Sequence, residues 1–158
     1  MPSSFGHNGH LLRRGRASLP CHAYHISTTT RVRQPLFADF QAACAACRCF
    51  ETLALLGDAQ MLAWVLMPDH VHWLLQLGER DSLACVVNRL KSASARSTNA
   101  SKGRKGPVWA RSYFDHAVRT DEDLATIARY IVANPLRAGL VPRVAQYPFW
   151  NAIWLPSR

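Results

Sequence analysis

Apolar and polar residues alternate along a segment near the middle of the chain. Residues 70–77 place Val71, Trp73 and Leu75 at every second position. Successive side chains of a strand point to opposite faces, so the pattern predicts a strand that buries these three residues on one face. Residues 60–67 predict a preceding strand, and the Pro-Asp pair between them predicts a tight turn. We therefore expect an antiparallel hairpin.

Elsewhere apolar residues recur at steps of three and four, which is typical of amphipathic helices. Three helices are expected: Asp39–Leu56 with Asp39 as N-cap, Asp81 to about Ser97, and Thr120 (as N-cap) to just before Pro135. Further strands are expected at 21–30 and 108–118. The order β–α–β–β–α–β–α predicts an α+β fold of ferredoxin-like type, an antiparallel sheet with helices packed on one face.

The length of the chain indicates one domain, and its apolar segments indicate where the protein is located. Of the 158 residues, 1–19 predict a flexible basic arm, with Arg13, Arg14 and Arg16, and 20–158 a single domain. No apolar run reaches membrane-spanning length, and no apolar segment follows the first charges as in a secretion signal. We expect a cytoplasmic protein without a long C-terminal extension.

Charge and cysteines narrow the chemistry. The net charge is +9 and the sequence pI is about 10, which favours a polyanionic partner such as nucleic acid. The five cysteines are an odd number without an export signal, so reduced thiols are expected. Cys44-x-x-Cys47 has the spacing of a zinc or redox motif, but it lies in an alanine-rich segment without a second pair.

Basic residues also cluster between Asp81 and Asp115, where no acid intervenes. The candidate DNA contacts there are Arg89, Lys91, Arg96, Lys102, Arg104, Lys105 and Arg111, with Trp109 and Tyr113 as candidate stacking platforms. Such a one-sided stretch can hold a phosphate backbone while bases stack on aromatic rings. The alternative is an ordinary solvated face.

His70 and His72 are separated by one residue of the predicted strand. They should therefore share a face about 7 Å apart, close enough to converge on one metal ion. The alternative is two ordinary strand histidines with satisfied ring nitrogens.

Tyr130 and Asn134 stand four residues apart on the last predicted helix. That is about one turn, so they share a face and could meet the histidines. Asn134 would then offer a metal-ligating oxygen and Tyr130 a phenolic nucleophile. The alternative is a core tyrosine and an asparagine that ends a helix before proline.

Taken together, the motifs resemble those of the REP-associated tyrosine transposases, a branch of the single-tyrosine HUH endonuclease superfamily. The matching segments are residues 12–16 with 24–28, 64–72, 109–119 and 128–141, in the family's order and spacing. The resemblance implies that His70 and His72 are the HUH metal ligands, Tyr130 the catalytic tyrosine and Asn134 a third ligand.

The resemblance also implies a reaction and a substrate. The activity would be cleavage and rejoining of single-stranded DNA with Mg²⁺ or Mn²⁺, through a 5′-phosphotyrosine intermediate. The substrate would be hairpin-forming repetitive palindromes (REP elements) of the bacterial nucleoid, and a monomer is favoured over a homodimer. His116 is expected to be a structural histidine rather than a DNA contact.

Two rival functions remain open at this point. The first is a catalytically silent nucleic-acid-binding domain of the same fold. The second is a phosphoesterase that uses the histidine pair and a metal-activated water, and that forms no covalent adduct with DNA.

Overall fold

A computed structural model describes residues 18–120 and 122–155 of the chain. Five antiparallel strands form one sheet in the order β4-β1-β3-β2-β5. The strands are β1 (Ala23–Thr29), β2 (Gln60–Met67), β3 (His70–Gln76), β4 (Phe114–Ala117) and β5 (Trp150–Ala152). The helices are α1 (Phe40–Cys47), α2 (Leu53–Leu56), α3 (Leu83–Lys102), α4 (Leu124–Val132) and α5 (Asn134–Arg137), with short 3₁₀ turns at Arg31–Arg33, Leu36–Ala38 and Val144–Gln146. The predicted α+β class and antiparallel sheet are confirmed.

The β2–β3 hairpin lies at the centre of the sheet and follows the predicted register. Val71, Trp73 and Leu75 are completely buried, as the alternation predicts. Each has its side chain on the face that packs against α1 and α3. A β-bulge between Met61 and Ala63 interrupts the pairing at the start of β2.

Helices cover both faces of the sheet, which corrects the expectation of one covered face. Helices α1 and α3 pack on one face, whereas Ala128 and Ile131 of α4 pack on the other. The reason lies in β2, where every residue after Gln60 is buried. A strand that is apolar on both faces needs a layer on each side, and α4 supplies the second layer.

The first predicted helix is two helices. Asp39 caps α1 as expected, since its carboxylate accepts a hydrogen bond from the Ala42 amide at 2.9 Å. After Cys47 the chain tightens into a turn that buries Phe50, whose ring lies 5.2 Å and 5.3 Å from the centroids of Trp64 and Trp73. Burial of this ring in the core overrides the continuous helical pattern.

The other boundaries also shift. Helix α3 begins after Ser82, whose hydroxyl accepts from the Cys85 amide, and it runs to Lys102 before Gly103 adopts a left-handed conformation. Asp123, not Thr120, caps α4, because its carboxylate accepts from the Ala125 and Thr126 amides. An aspartate directly before the helix is the stronger cap.

The predicted strand 108–118 is regular only in β4. Its first part makes one isolated bridge, Thr30 to Trp109. Trp109 is 6% exposed, and its indole N–H donates to the Ser94 hydroxyl at 2.9 Å. This tryptophan leaves the strand plane because its ring fills the core beside Phe37 and Trp73.

The Ser94–Trp109 hydrogen bond gives a test of this packing. Ser94 is completely buried, so Ser94→Ala leaves the indole N–H without its acceptor. We expect the free energy of unfolding to fall by about 1–3 kcal/mol in urea denaturation. Ser92→Ala, on the exposed side of the same helix, is the control and should change stability little. Equal stability of the two variants would contradict the buried-acceptor role.

Candidate active site

His70 and His72 stand side by side on one face of β3. Their ring centroids are 5.1 Å apart. Their cross-strand neighbours on β2 are Met67 and Val65, respectively. Both neighbours belong to the core beneath α4, so the histidine pair lies on the face of the sheet that α4 covers.

The turn before β3 orients His70. The Nδ1 of His70 donates a hydrogen bond to the Asp69 carboxylate at 2.8 Å, and Arg33 donates to the same carboxylate at 3.2 Å. Burial alone would raise the pKa of Asp69, but these two hydrogen bonds lower it. The ionised carboxylate fixes the hydrogen on Nδ1 of His70, so that Nε2 carries the lone pair when the ring is neutral.

The ring of His72 meets a third histidine. Its Nδ1 lies 2.9 Å from the Nε2 of His25 on β1, and the two ring centroids are 5.1 Å apart. Burial lowers the pKa of His72 to about 3, and the charges of His25, His70 and Arg137 act in the same direction. Burial, with the charge of His116, also lowers the pKa of His25. His72 is therefore neutral at pH 7, the state in which imidazole binds metal ions.

The role of His25 was not among the sequence predictions. A signal for it exists, because Tyr24 and Ile26 alternate with His25 in β1 and place it on the less apolar face. The pairing of Ser27 with His72 then places His25 two positions along β1 from the residue opposite His72, on the same face of the sheet. That register depends on strand order, which the alternation alone does not give.

Helix α4 delivers Tyr130 to the same face of the sheet. Ala128 and Ile131 bury its apolar stripe against β2 and β3, while the Tyr130 side chain at the rim is 58% exposed. The guanidinium carbon of Arg137 lies 3.8 Å from the centroid of the Tyr130 ring. Because the charge of Arg137 also lowers the pKa of His72, this arginine links the tyrosine electrostatically to the histidines.

Asn134 sits at the break between α4 and α5. Pro135 has no N–H to donate to the Ile131 carbonyl, and the amide Nδ2 of Asn134 donates to that oxygen instead, at 3.2 Å. The amide oxygen Oδ1 of Asn134 therefore keeps its lone pairs for another partner.

The two halves of the predicted site share one face of the sheet. Over residues 18–120 and 122–155, no hydrogen bond joins Tyr130 or Asn134 to His70 or His72. The structure therefore places both halves on one face of the sheet and does not join them by a hydrogen bond between described residues.

The donor set fits a divalent metal ion. Each histidine engages its Nδ1 with a neighbour and leaves its Nε2 for a ligand, a pattern that is usual around metal-bound histidines. Within the described residues no group of three His, Cys, Asp or Glu side chains could hold a metal. Asn134 offers an amide oxygen, a donor that does not belong to those four residue types.

The basic cluster divides between structural and exposed side chains. Arg89 binds the Asp81 carboxylate and the Leu55 carbonyl, and Lys102 pairs with Asp39 at 2.9 Å. Lys91 donates to the Ala110 carbonyl, and Arg104 to Asn99 and Pro107. Arg96, Lys105 and Arg111 are exposed.

The predicted stacking platforms are corrected in part. Trp109 lies in the core and offers no face to a base, while Tyr113 is half-buried beside Lys91. Phe114 of β4 is instead 53% exposed. Helix α3, which carries part of the basic cluster, packs on the face of the sheet opposite the histidines.

Three further predictions concern the N-terminal arm, His116 and the cysteines. Arg13, Arg14 and Arg16 of the N-terminal arm lie outside the described residues. The Nε2 of His116 on β4 lies 3.1 Å from the Glu122 carboxylate, and its side chain is exposed, so its structural role stays a prediction. All five cysteines are free thiols.

The fold and the site define a class: an antiparallel α+β domain with paired histidines on its central strand and an exposed tyrosine on a helix above them. The profile of the family described as "Transposase IS200 like" matches residues 19–134. The chain belongs to that family.

The chain is similar to two curated relatives that are named as REP-associated tyrosine transposases. A predicted REP-associated tyrosine transposase of Haemophilus influenzae is 33% identical over 110 residues, 63% of this chain and 57% of the relative. A REP-associated tyrosine transposase of Escherichia coli is 33% identical over 89 residues, 55% of this chain and 50% of the relative. The chain thus spans about half the length of these relatives.

Two solved structures share the fold. A REP-associated tyrosine transposase bound to a REP hairpin has a TM-score of 0.65 at 24% identity, over 85% of this chain and 79% of that one. A predicted transposase of Deinococcus radiodurans has a TM-score of 0.53 at 26% identity, over 75% of this chain and 95% of that one.

Among the described residues, none of the helices combines the length and the apolar character that a membrane span requires.

The lowered pKa of His72 gives a pH test. The pKa of His72 in the folded chain, about 3, lies below the ordinary histidine value of 6.5, so between these two pH values the unfolded chain binds more protons than the folded chain. Stability should therefore be retained above pH 6.5 and fall as the pH drops toward 3. With EDTA present, His72→Gln should flatten this fall, by at most about 1.4 kcal/mol per pH unit.

The measurement is urea denaturation at pH values from 7 to below 5. His22→Gln is the matched control, because it also removes one histidine, from an exposed position, and should leave the steepness of the acid side nearly unchanged. An acid side equally steep in His72→Gln and wild type would contradict the neutral, buried state of His72.

Proposed function

We propose that the protein is a metal-dependent single-stranded DNA endonuclease and strand transferase, a transposase that acts through a 5′-phosphotyrosine at Tyr130. The observation that carries the proposal is the common sheet face on which the neutral His72, its neighbour His70 and the helix bearing Tyr130 lie. Family membership agrees with it, since the IS200-like profile spans both the histidines and Tyr130.

His70 and His72 would hold a Mg²⁺ or Mn²⁺ ion through their Nε2 atoms, with Oδ1 of Asn134 as the third protein ligand. When bound, the ion supplies charge that polarises the scissile phosphate. Both histidines keep their Nδ1 atoms engaged with Asp69 and His25, which holds the rings in place. Asn134 is the first residue of α5, which follows α4 after a single residue, so its position is tied to that of Tyr130.

Tyr130 is the nucleophile in this proposal. Its phenolic oxygen forms a bond to phosphorus, the bond from phosphorus to the 3′-oxygen breaks, and the proton lost by the phenol is balanced by the proton that the 3′-hydroxyl gains. The guanidinium of Arg137, stacked on the phenol ring, orients it and adds positive charge where an anionic phosphate must approach. Because one phosphodiester replaces another, a new 3′-hydroxyl can reverse the step and join strands.

The substrate we propose is single-stranded DNA next to a hairpin of a repetitive palindrome, on the bacterial nucleoid. Support comes from the net charge of +9 and from the related structure bound to a REP hairpin. Arg96, Lys105 and Arg111 are exposed side chains of the basic cluster, and they can bind phosphates. A monomer suffices for this chemistry, since one chain carries both halves of the site.

The covalent step is tested with hairpin DNA that carries a single-stranded flank, in the presence of Mn²⁺. A 5′-phosphotyrosine keeps the protein on the fragment that contains the 3′ end. Thus 3′-labelled DNA should shift to a protein band in a denaturing gel, while 5′-labelled DNA should give a shorter free strand. Tyr130→Phe should abolish both products, because no other group supplies the phenolic oxygen.

Tyr24→Phe is the matched control, since it removes a phenol on the opposite face of the sheet and keeps the buried ring. Cleavage that persists in Tyr130→Phe without an adduct would favour the phosphoesterase. A shift in a native gel without cleavage by the wild type would favour the silent binding domain.

The third ligand is tested by Mn²⁺ titration without DNA, in which the electron paramagnetic resonance signal of free Mn²⁺ reports how much of the ion is unbound. Asn134→Ala should weaken Mn²⁺ binding by at least about tenfold, because it removes a ligand oxygen. Asn134→Asp keeps an oxygen at the same place and should bind at least as tightly as wild type. Unchanged binding in Asn134→Ala would remove this residue from the ligand set.

A further inference from the structure

The hydrogen bond between His25 and His72 adds a fifth residue, His25, to the four predicted site residues. Two imidazole nitrogens 2.9 Å apart, Nε2 of His25 and Nδ1 of His72, share one hydrogen. One ring must donate and the other must accept, and the choice fixes the tautomer of a neutral His72.

Only one of the two choices is compatible with a ligand at His72. If His72 donates from Nδ1, its Nε2 keeps a lone pair. If His72 accepts at Nδ1, its Nε2 carries the hydrogen and cannot bind a metal ion. His70 faces no such choice, because its Nδ1 meets the Asp69 carboxylate, which can only accept.

We propose that His25 is a positioning residue that accepts the Nδ1 hydrogen of His72 and thereby holds Nε2 of His72 as a ligand for a divalent cation. The proposal rests on the proposed function, in which His70 and His72 bind the ion. His25 itself touches neither the ion nor the DNA in this proposal.

The placement of His25 makes it suitable for this role. It lies on β1, which pairs along its whole length with β3, so the His25 ring is held by the sheet rather than by a loop. Its own cross-strand neighbour on β4 is His116, which is engaged with Glu122. His25 therefore contacts His72 laterally, from the neighbouring strand and on the same face of the sheet.

The first experiment compares Mn²⁺ binding to His25→Leu and His25→Gln without DNA. Leucine removes the acceptor, and we expect affinity to fall about 10- to 100-fold, as for other partners of metal-bound histidines. The amide oxygen of glutamine reaches the place of Nε2 and should restore affinity to within a few-fold of wild type. His116→Gln is the control next to His25 and should bind as wild type does.

A second measurement on the unmutated protein covers the case in which His25→Leu does not fold. In protein with ¹⁵N-labelled histidine, long-range ¹H–¹⁵N correlation spectra distinguish the ring tautomers. With Mg²⁺ bound, His72 should carry its hydrogen on Nδ1 and His25 should be unprotonated at Nε2. A hydrogen on Nε2 of His72 in the Mg²⁺-loaded protein would overturn the proposal.

The outcomes separate this inference from the function on which it rests. If His70→Ala loses Mn²⁺ while His25→Leu keeps full affinity, the positioning role fails and the metal site stands. If wild type binds no Mn²⁺, the metal site fails and the role of His25 fails with it. Loss in His25→Leu with rescue in His25→Gln supports both.

Discussion

The pairing of β2 with β3 is the constraint on which the rest of the molecule depends. This hairpin is central in the sheet, and β2 is apolar on both faces. Strand β2 is therefore stable only with helices packed on both of its faces. Helix α4 covers the second face. The same requirement brings the helix that bears Tyr130 over the face that bears His70 and His72.

The histidines of β3 lie on a covered face of the sheet and need hydrogen-bond partners. Each partner also influences which ring nitrogen carries the hydrogen. Asp69 in the turn accepts from His70, and His25 on the neighbouring strand meets His72. A buried imidazole without a partner would cost free energy, so the hydrogen bonds stabilise the fold and orient the rings at once. The break at Pro135 is stabilised in a similar way, since the Asn134 amide nitrogen donates to the Ile131 carbonyl and this hydrogen bond orients the Asn134 side chain.

Much of this architecture is readable from the sequence, because strand alternation is a local signal. The hairpin, its buried residues, the shared face of the histidines and the Asp39 cap follow from neighbouring residues alone. What could not be predicted depends on distant contacts. The turn at Phe50 arises from packing on Trp64 and Trp73, and the burial of Trp109 arises from Ser94 and Phe37. His25 reaches the site through the register of β1 with β3, and Arg137 reaches it through the break between α4 and α5. The periodicity of apolar residues predicts neither of these features.

The exposure of Tyr130 has a consequence for how such a protein can change. Its phenol ring contributes little buried surface, and its hydroxyl supports no part of the core, so the architecture does not depend on the group that would carry the reaction. A single substitution there would leave a folded, basic domain with an unaltered outline. The proposed chemistry could therefore be lost with little change in thermal stability, and a descendant that only binds DNA would keep the same fold.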